Sequence, residues 1–366
     1  MYNARKMTDR SNVEHLSVVT TAETVDDVTQ TTSVNVVTSS LSHGFEFYFQ
    51  CAVIVIGVVG TAANALILYA MVASKQHKKH ILIFHQNVLD LVSCLFLVIT
   101  YAVKLCNFYL TGLTGYWLCM LILSENLLWS VILGSKANLV FITIERYLKV
   151  VHPVWSKKKL RNWMIYSAMA FAWISGFIQL NALAFITSDV VDGVCYAFVM
   201  WENRVAEMCY GIFGLLFYSV FILIIFVFCY WRILIAIRRQ AQVMARYYMI
   251  YGIHCNGQVK SHQMQSNVIQ TMILVSAFYA ISDLPLSVYI RVMNIGGNFT
   301  ILEGSYYSTL FVSFFYFCAN PFIYAAKFDP VKRILLRLIP CKKTVVQPIE
   351  SIELAVASAI TSRSQP

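Results

Sequence analysis

The stretch FYFQCAVIVIGVVGTAANALILYAMVA, residues 47–73, contains no charged side chain. An α-helix rises about 1.5 Å per residue, so about 20 apolar residues cross the hydrocarbon core of a bilayer. In lipid, a single segment can satisfy its own backbone hydrogen bonds only as a helix. This stretch is therefore predicted to be a membrane-spanning helix.

Six further stretches meet the same rule of length and composition. They cover residues 82–105, 117–148, 163–187, 207–235, 266–292 and 305–326. The bulk composition agrees, because 58% of the residues are hydrophobic and only 13% are charged, against about a quarter in ordinary soluble domains. The predicted fold class is an all-α membrane protein, a bundle of seven transmembrane helices.

The distribution of Lys and Arg predicts the orientation of this bundle. Loops 74–81, 146–161 and 232–262 carry three, six and five of them, whereas the opposite loops carry three in all. Because cytoplasmic loops are enriched in basic residues, the C-terminus is predicted to be cytoplasmic and the N-terminus outside the plasma membrane. The formal charge of +10 reflects this bias, so nucleic acid is not an expected partner.

The segments around the spans are assigned by composition. Residues 1–45, rich in Thr, Ser and Val, are interpreted as a disordered extracellular tail, and residues 342–366 as a disordered cytoplasmic tail. The transmembrane domain takes residues 46–341 and includes an amphipathic helix, 328–339, predicted to lie on the inner leaflet. Cys341 is a candidate for palmitoylation, with an inert thiol as the alternative.

Motifs inside the spans carry a resemblance to a known family. They are Asn64, Asp90, Glu145-Arg146-Tyr147, Trp173, Tyr230, Pro285 and Asn320-Pro321-Phe322-Ile323-Tyr324, in that order along spans one to seven. Together they resemble the rhodopsin-like (class A) family of G-protein-coupled receptors, with a pattern most similar to invertebrate orphan receptors. The resemblance implies a receptor that converts extracellular ligand binding into activation of a heterotrimeric G protein. No phosphate loop, nucleophile elbow or HExxH motif occurs, so an enzyme is not expected.

The resemblance assigns signalling roles to these motifs. At rest Glu145 would neutralise Arg146, which on activation would contact the carbonyl groups of the G protein. Pro285 and Pro321 each lack a backbone N–H and kink their helices, which would let the sixth span move as a lever and Tyr324 swing inward. The alternatives are an arginine that only follows the positive-inside bias and bends that are static.

A lone carboxylate inside a span needs a cation or a proton. Asp90, Ser135 and Asn320, with Asn64 as an uncharged companion, resemble the sodium pocket of the family. An allosteric sodium ion is accordingly the one cofactor considered, and no other metal is expected. The alternative is a protonated Asp90 hydrogen-bonded to Asn64 and Asn320, and the sequence leaves both open.

The resemblance also pairs Cys119, at the outer end of the third span, with Cys195 in an outer loop as a disulfide. Two free thiols are the alternative. The spacing from Cys119 to Arg146 is two residues longer than is usual in the family, which leaves the register of the outer third span open. Asn298-Phe299-Thr300 is a glycosylation sequon in another outer loop.

The core departs from the family pattern in its charges and its prolines. Asp283 replaces the tryptophan that precedes the sixth-span proline, Ile222 replaces the fifth-span proline, Tyr279 replaces a phenylalanine, and Lys136 follows Ser135. We hypothesise that Lys136 and Asp283 compensate each other, because opposite charges in low dielectric are costly alone and tolerable together. Helical rise places them about 12 Å apart along the axis. Alternatively, Lys136 pairs with Asp90 and Asp283 faces the ligand cavity.

The ligand is constrained by what the chain lacks. Amine receptors place an Asp where Leu128 stands, and retinal receptors place a Lys where Phe314 stands. A peptide or lipid ligand is therefore favoured over an amine or retinal. The candidates for the cavity wall are Glu125, Trp129, Asp283 and Arg291. Arrestin is a further candidate partner, and the alternative functions are a non-signalling receptor-like scaffold and an ion-coupled transporter.

Overall fold

The computed structural model describes residues 28–106, 108–197, 201, 203–251, 256–295, 303–327 and 329–338. Its helices cover Val28–Ala73, Ile81–Leu105, Gly112–Leu118, Asn126–Val151, Pro153–Lys159, Asn162–Thr187, Arg204–Gly214, Ile222–Tyr251, Asn256–Ile295, Glu303–Lys327 and Asp329–Leu338. Two π-helical segments, Cys119–Leu123 and Leu215–Phe221, and two strands, Asp189–Val191 and Val194–Tyr196, complete the elements. By its contacts the chain divides into two units, Met1–Tyr48 and Phe49–Pro366.

Seven helical segments of the described chain are long and apolar enough to cross a membrane. They are, as spans 1 to 7, Gly44–Ala73, Ile81–Leu105, Gly112–Val151, Asn162–Thr187, Arg204–Val243, Ser266–Val292 and Tyr306–Ala326. The seven predicted spans are thereby confirmed. Residues 28–45, predicted to be disordered, are helical from Val28 onward, because a helix extends at little cost once a neighbouring segment has nucleated it.

Span 3 lies at the centre of the bundle. In its most apolar window 56% of the residues are buried, against 17% in span 4. Large apolar side chains such as Ile178, Phe228 and Ile281 are exposed on the outward faces of their spans. An exposed apolar surface of this extent would drive a soluble protein to associate, whereas lipid solvates it.

Spans 3 and 4 approach so closely that only glycine fits at their contacts. A Cβ atom on Gly176 would lie 2.2 Å from the carbonyl oxygen of Ser130, and one on Gly134 would lie 2.8 Å from that of Ala172. Small residues allow membrane helices to pack backbone against backbone, which is the main source of helix association in lipid. The little-buried span 4 is held to the bundle in this way.

A change of helix type interrupts span 3 between Cys119 and Glu125, in the segment whose register the sequence left open. The amide of Ser124 donates to the carbonyl of Cys119 at 2.9 Å, a π-helical bond. Glu125 follows with a left-handed φ of 58°. A π-turn holds one residue more than an α-turn, and the α-helix begins again only at Asn126, so the backbone is irregular in the segment where the two extra residues lie. A π-helical segment, Leu215–Phe221, likewise interrupts span 5 directly before Ile222, the position where a proline was expected.

The disulfide between Cys119 and Cys195 is confirmed and ties span 3 to a β-hairpin. Two positive-φ residues form the turn of this hairpin, Asp192 with φ 51° and Gly193 with φ 78°. Asp-Gly between β-branched residues is the sequence signature of such a turn, although the hairpin was not predicted. The bundle end that carries this disulfide is called the disulfide end below, and the opposite end the arginine end.

The glycine contact between spans 3 and 4 can be tested by one added methyl group. We expect Gly176→Ala to lower stability by about 1–3 kcal/mol, because the new Cβ forces the two backbones apart. The measurement is the midpoint of thermal unfolding of the purified protein.

Gly44→Ala is the matched control, since a Cβ on Gly44 has nothing within 4 Å. Both variants share the gain in helix propensity that alanine brings. Equal midpoints for the two variants would contradict the close contact.

Candidate functional site

A cavity of about 400 Å³ opens between the spans at the disulfide end, within the range of small-molecule sites. Three of the four predicted cavity residues line it, namely Glu125, Trp129 and Arg291. Further lining residues are Lys104, Lys136, Tyr210, Leu286, Ile290 and Tyr306. The fourth, Asp283, instead lines a smaller space, where it meets Lys136 and Tyr279.

Glu125 is neutralised within the cavity wall. Its carboxylate lies 2.5 Å from Lys104 Nζ and accepts a hydrogen bond from Trp129 Nε1 at 2.9 Å. Its left-handed backbone costs about 1–3 kcal/mol, which these contacts help to offset. Lys104 was not predicted as a partner. Glu125 is consequently not a free counter-ion for a protonated amine.

Lys136 and Asp283 form the hypothesised pair. Lys136 Nζ lies 2.8 Å from Asp283 Oδ2, so neither a bridging water nor Asp90 is required. The hydroxyls of Ser287 and Ser313 also donate to this carboxylate, at 2.8 and 3.1 Å. The reach of the lysine side chain closes the axial offset predicted from helical rise. The pair thus joins span 3 to span 6, and Ser313 adds span 7.

Asp90 is satisfied by three donors. Its Oδ1 accepts from Gln86 Nε2 and from Ser135 Oγ, each at 3.0 Å. Its Oδ2 accepts from Asn320 Nδ2 at 2.9 Å. Asn64 is not bonded to it and donates to backbone carbonyls of spans 1 and 7. Because two of the three donors are amide N–H groups, the surroundings fit a hydrogen-bonded carboxylate better than a ligand set for sodium, which stays a prediction.

A chain of hydrogen bonds from span 4 sets the direction of the Gln86 amide. Trp173 Nε1 can only donate, and its acceptor is His85 Nε2 at 2.8 Å. The proton of His85 is therefore on Nδ1, which donates to Asn138 Oδ1 at 2.9 Å. Asn138 Nδ2 then donates to Gln86 Oε1 at 2.8 Å, which turns the Gln86 NH₂ group toward Asp90.

Three members of this chain, His85, Gln86 and Asn138, were missed in the sequence. All three are buried polar residues inside apolar spans, and such residues in a membrane are functional candidates. The available signal was the position of Gln86, which precedes Asp90 by four residues and therefore lies on the same face of the helix.

At the arginine end, Arg146 is held by two neighbours. Its Nε lies 3.3 Å from Glu145 Oε2, and a terminal nitrogen lies 3.2 Å from His80 Nδ1. Arg146 is only 9% exposed. Burial first, and then the Arg146 charge, lower the pKa of His80 from 6.5 to about 4, so its neutral ring accepts the hydrogen bond. His80 was not predicted, and Lys149 also contacts Glu145 at 2.5 Å.

Two tyrosines lie between the cavity and Arg146. The hydroxyl of Tyr230 contacts Thr143 Oγ1 at 3.0 Å and Ser276 Oγ at 2.6 Å, and so joins spans 3, 5 and 6. Tyr324 is 2% exposed, and its hydroxyl has no hydrogen-bond partner among the described residues.

The remaining predicted site residues are placed as follows. Tyr147 contacts His152 at 3.3 Å, and Pro285 and Pro321 lie inside the helices of spans 6 and 7. Asn298 and Cys341 lie outside the described residues, so glycosylation and palmitoylation stay predictions.

Comparison with known proteins was made by family and by individual relative. Residues 63–324 match the family described as 7 transmembrane receptor (rhodopsin family). The match begins in span 1, ends at Tyr324 and covers more than half of the chain. Comparison with curated proteins gave no match.

The ion pair between Lys136 and Asp283 predicts strong coupling in a double-mutant cycle. Lys136→Met and Asp283→Leu should each cost about 3–5 kcal/mol, because each leaves a buried charge alone. The double variant should cost much less than the sum of the single variants. Surface expression and thermal stability of the four proteins are the measurements, and simple additivity would reject the coupling.

The partly buried His80 predicts an acid-sensitive contribution to stability. Its pKa of about 4 in the folded protein lies below 6.5, so the unfolded chain binds the extra proton between these values. Stability is therefore lost as the pH falls from about 6.5 toward 4. Between neutral and acidic buffer the unmodified protein should lose more thermal stability than His80→Gln.

His77→Gln, in the same loop, is the matched control and should behave like the unmodified protein. A pH dependence of His80→Gln equal to that of the unmodified protein would show that His80 is not the titrating group.

Proposed function

The chain belongs to the rhodopsin family of seven-transmembrane receptors, and we propose that it couples an extracellular ligand to activation of a heterotrimeric G protein. The disulfide end then faces outside and the arginine end faces the cytoplasm at the plasma membrane, in agreement with the bias of basic residues in the loops. Arrestin is proposed as a second cytoplasmic partner.

The observation that carries the proposal is the restrained Arg146 at the inner end of the central span. It is buried against Glu145 and against the neutral ring of His80. A guanidinium presents a planar fork of donors that suits carbonyl and carboxylate acceptors. Release from both contacts would expose these donors to a partner, so the arrangement supports a resting state that can be switched.

A route from the cavity to Arg146 supports the same proposal. The pair of Lys136 and Asp283 joins spans 3 and 6 at the floor of the cavity. Further inward, Tyr230 joins spans 3, 5 and 6. The hydroxyl of Tyr324 lacks a partner among the described residues, so a rearrangement that pairs it would gain about 0.5–1.5 kcal/mol. A ligand that binds one arrangement better shifts the population toward it.

Two other functions are distinguished by the same experiment. A non-signalling scaffold is suggested by the altered core, where an ion pair replaces an aromatic contact. An ion-coupled transporter is suggested by three ionisable groups within the spans, Asp90, Lys136 and Asp283. Neither function requires Arg146. G-protein activation that disappears in the Arg146→Ala variant therefore distinguishes a receptor from both.

We expect His80→Ala to raise ligand-independent G-protein activation, because it removes one of the two contacts that hold Arg146. Arg146→Ala should abolish activation both in the unmodified receptor and in the His80→Ala variant. The measurement is nucleotide exchange on G proteins in membranes, normalised to receptor at the cell surface. His77→Ala, in the same loop, is the matched control and should leave the basal signal unchanged.

Two outcomes would contradict the proposal. The first is activation by the Arg146→Ala variant at the level of the unmodified receptor. The second is no activation above vector in any variant that reaches the surface, which would favour the scaffold.

A further inference from the structure

The charged side chains that line the cavity in the described part of the chain do not balance. Glu125 is paired with Lys104, and Asp283 is paired with Lys136. Arg291 also lines the cavity, yet none of the ion pairs among the described residues includes it. The described wall therefore carries one cationic group in excess, and that group is available to a bound anion.

Within the described residues, Arg291 is held in place without a hydrogen bond from its guanidinium. The guanidinium lies over the ring of Tyr210, 4.8 Å from the centroid. It also lies against bare backbone, because a Cβ on Gly214 would be 2.6 Å from its Cζ. Stacking uses the flat face of the group, whereas its five N–H donors lie in the plane. The donors are thus left for a ligand.

Most side chains along the wall between Arg291 and the floor of the cavity are apolar. Arg291 follows Asp283 by eight residues on span 6, which is about 12 Å of helical rise. The apolar side chains that line the cavity are Trp129, Leu133, Leu180, Leu183, Leu286 and Ile290. The polar Ser287 and Gln179 also line it, but each already has a hydrogen-bond partner, Asp283 and Tyr218 respectively. A ligand lying here needs an apolar body of matching length, since a buried polar group without a partner costs free energy.

Building on the proposed receptor function, we propose that the ligand is an amphiphilic acid. Its carboxylate or phosphate group pairs with Arg291. Its single apolar chain lies along the apolar side chains of the cavity wall, toward Lys136 and Asp283. Guanidinium groups bind both kinds of acid through two parallel hydrogen bonds. A peptide fits less well, because its amide groups would face apolar side chains along this wall.

The test measures binding to the full chain in nanodiscs of neutral phospholipid, without G protein. The probes are dodecanoate, dodecyl phosphate and dodecanol, which share one chain and differ in the head group. At least one acid should bind, and dodecanol should bind at least about tenfold more weakly, because a charge-assisted hydrogen bond is lost. The stronger of the two acids distinguishes a carboxylate ligand from a phosphate ligand.

The matched variants are Arg291→Gln and Arg204→Gln. Arg204 is also an arginine of the disulfide end, but it pairs with Glu207 and does not line the cavity. Arg291→Gln should weaken acid binding at least about tenfold, Arg291→Lys should restore part of it, and Arg204→Gln should leave it unchanged.

Equal binding of acid and alcohol, equal binding to Arg291→Gln and the unmodified chain, or no binding of either acid would overturn the proposal. Because the assay contains no G protein, acid binding can succeed where coupling through Arg146 fails. Conversely, Arg146-dependent basal signalling without acid binding would leave the receptor function intact and reject only the ligand class.

Discussion

A charge inside a lipid-embedded bundle must find its neutralising partner within the bundle. Three carboxylates within the described spans meet this constraint in different ways. Glu125 pairs with Lys104, Asp90 accepts three hydrogen bonds, and Asp283 pairs with Lys136. Each solution includes a residue of span 3, so the central helix is bound to spans 2, 6 and 7 by polar contacts as well as by packing.

The ion pair between Lys136 and Asp283 restricts how spans 3 and 6 can move. An aromatic contact can slide while its area stays buried, whereas an ion pair in low dielectric loses most of its energy when the charges separate. Any rearrangement of span 6 near Pro285 therefore has to keep Lys136 with Asp283 or provide each of them with a new partner. Because Lys136 also lines the cavity, a bound ligand can alter this balance directly.

The backbone supports this arrangement with local irregularities. The glycine contact between Gly176 and Ser130 brings span 4 close to span 3, which lets Trp173 reach His85. The π-turn before Glu125 interrupts span 3 near the disulfide end, and Glu125 lies in the cavity wall beside Lys104. Such π-turns are often found at functional sites. Here the glycine contact and the π-turn each lie next to a polar contact.

The sequence by itself determined the seven spans and the motif residues, and its resemblance to the family implied the disulfide. Span length and charge content follow from the thickness and low dielectric of the membrane, which act on every segment separately. The tertiary structure alone decided which partners the buried charges take. Asp90 accepts a hydrogen bond from Gln86 rather than from Asn64, and Arg146 donates one to the unpredicted His80. Glu125 forms an ion pair with Lys104. These pairings depend on helix rotation and close approach, which arise from contacts between residues far apart in the chain.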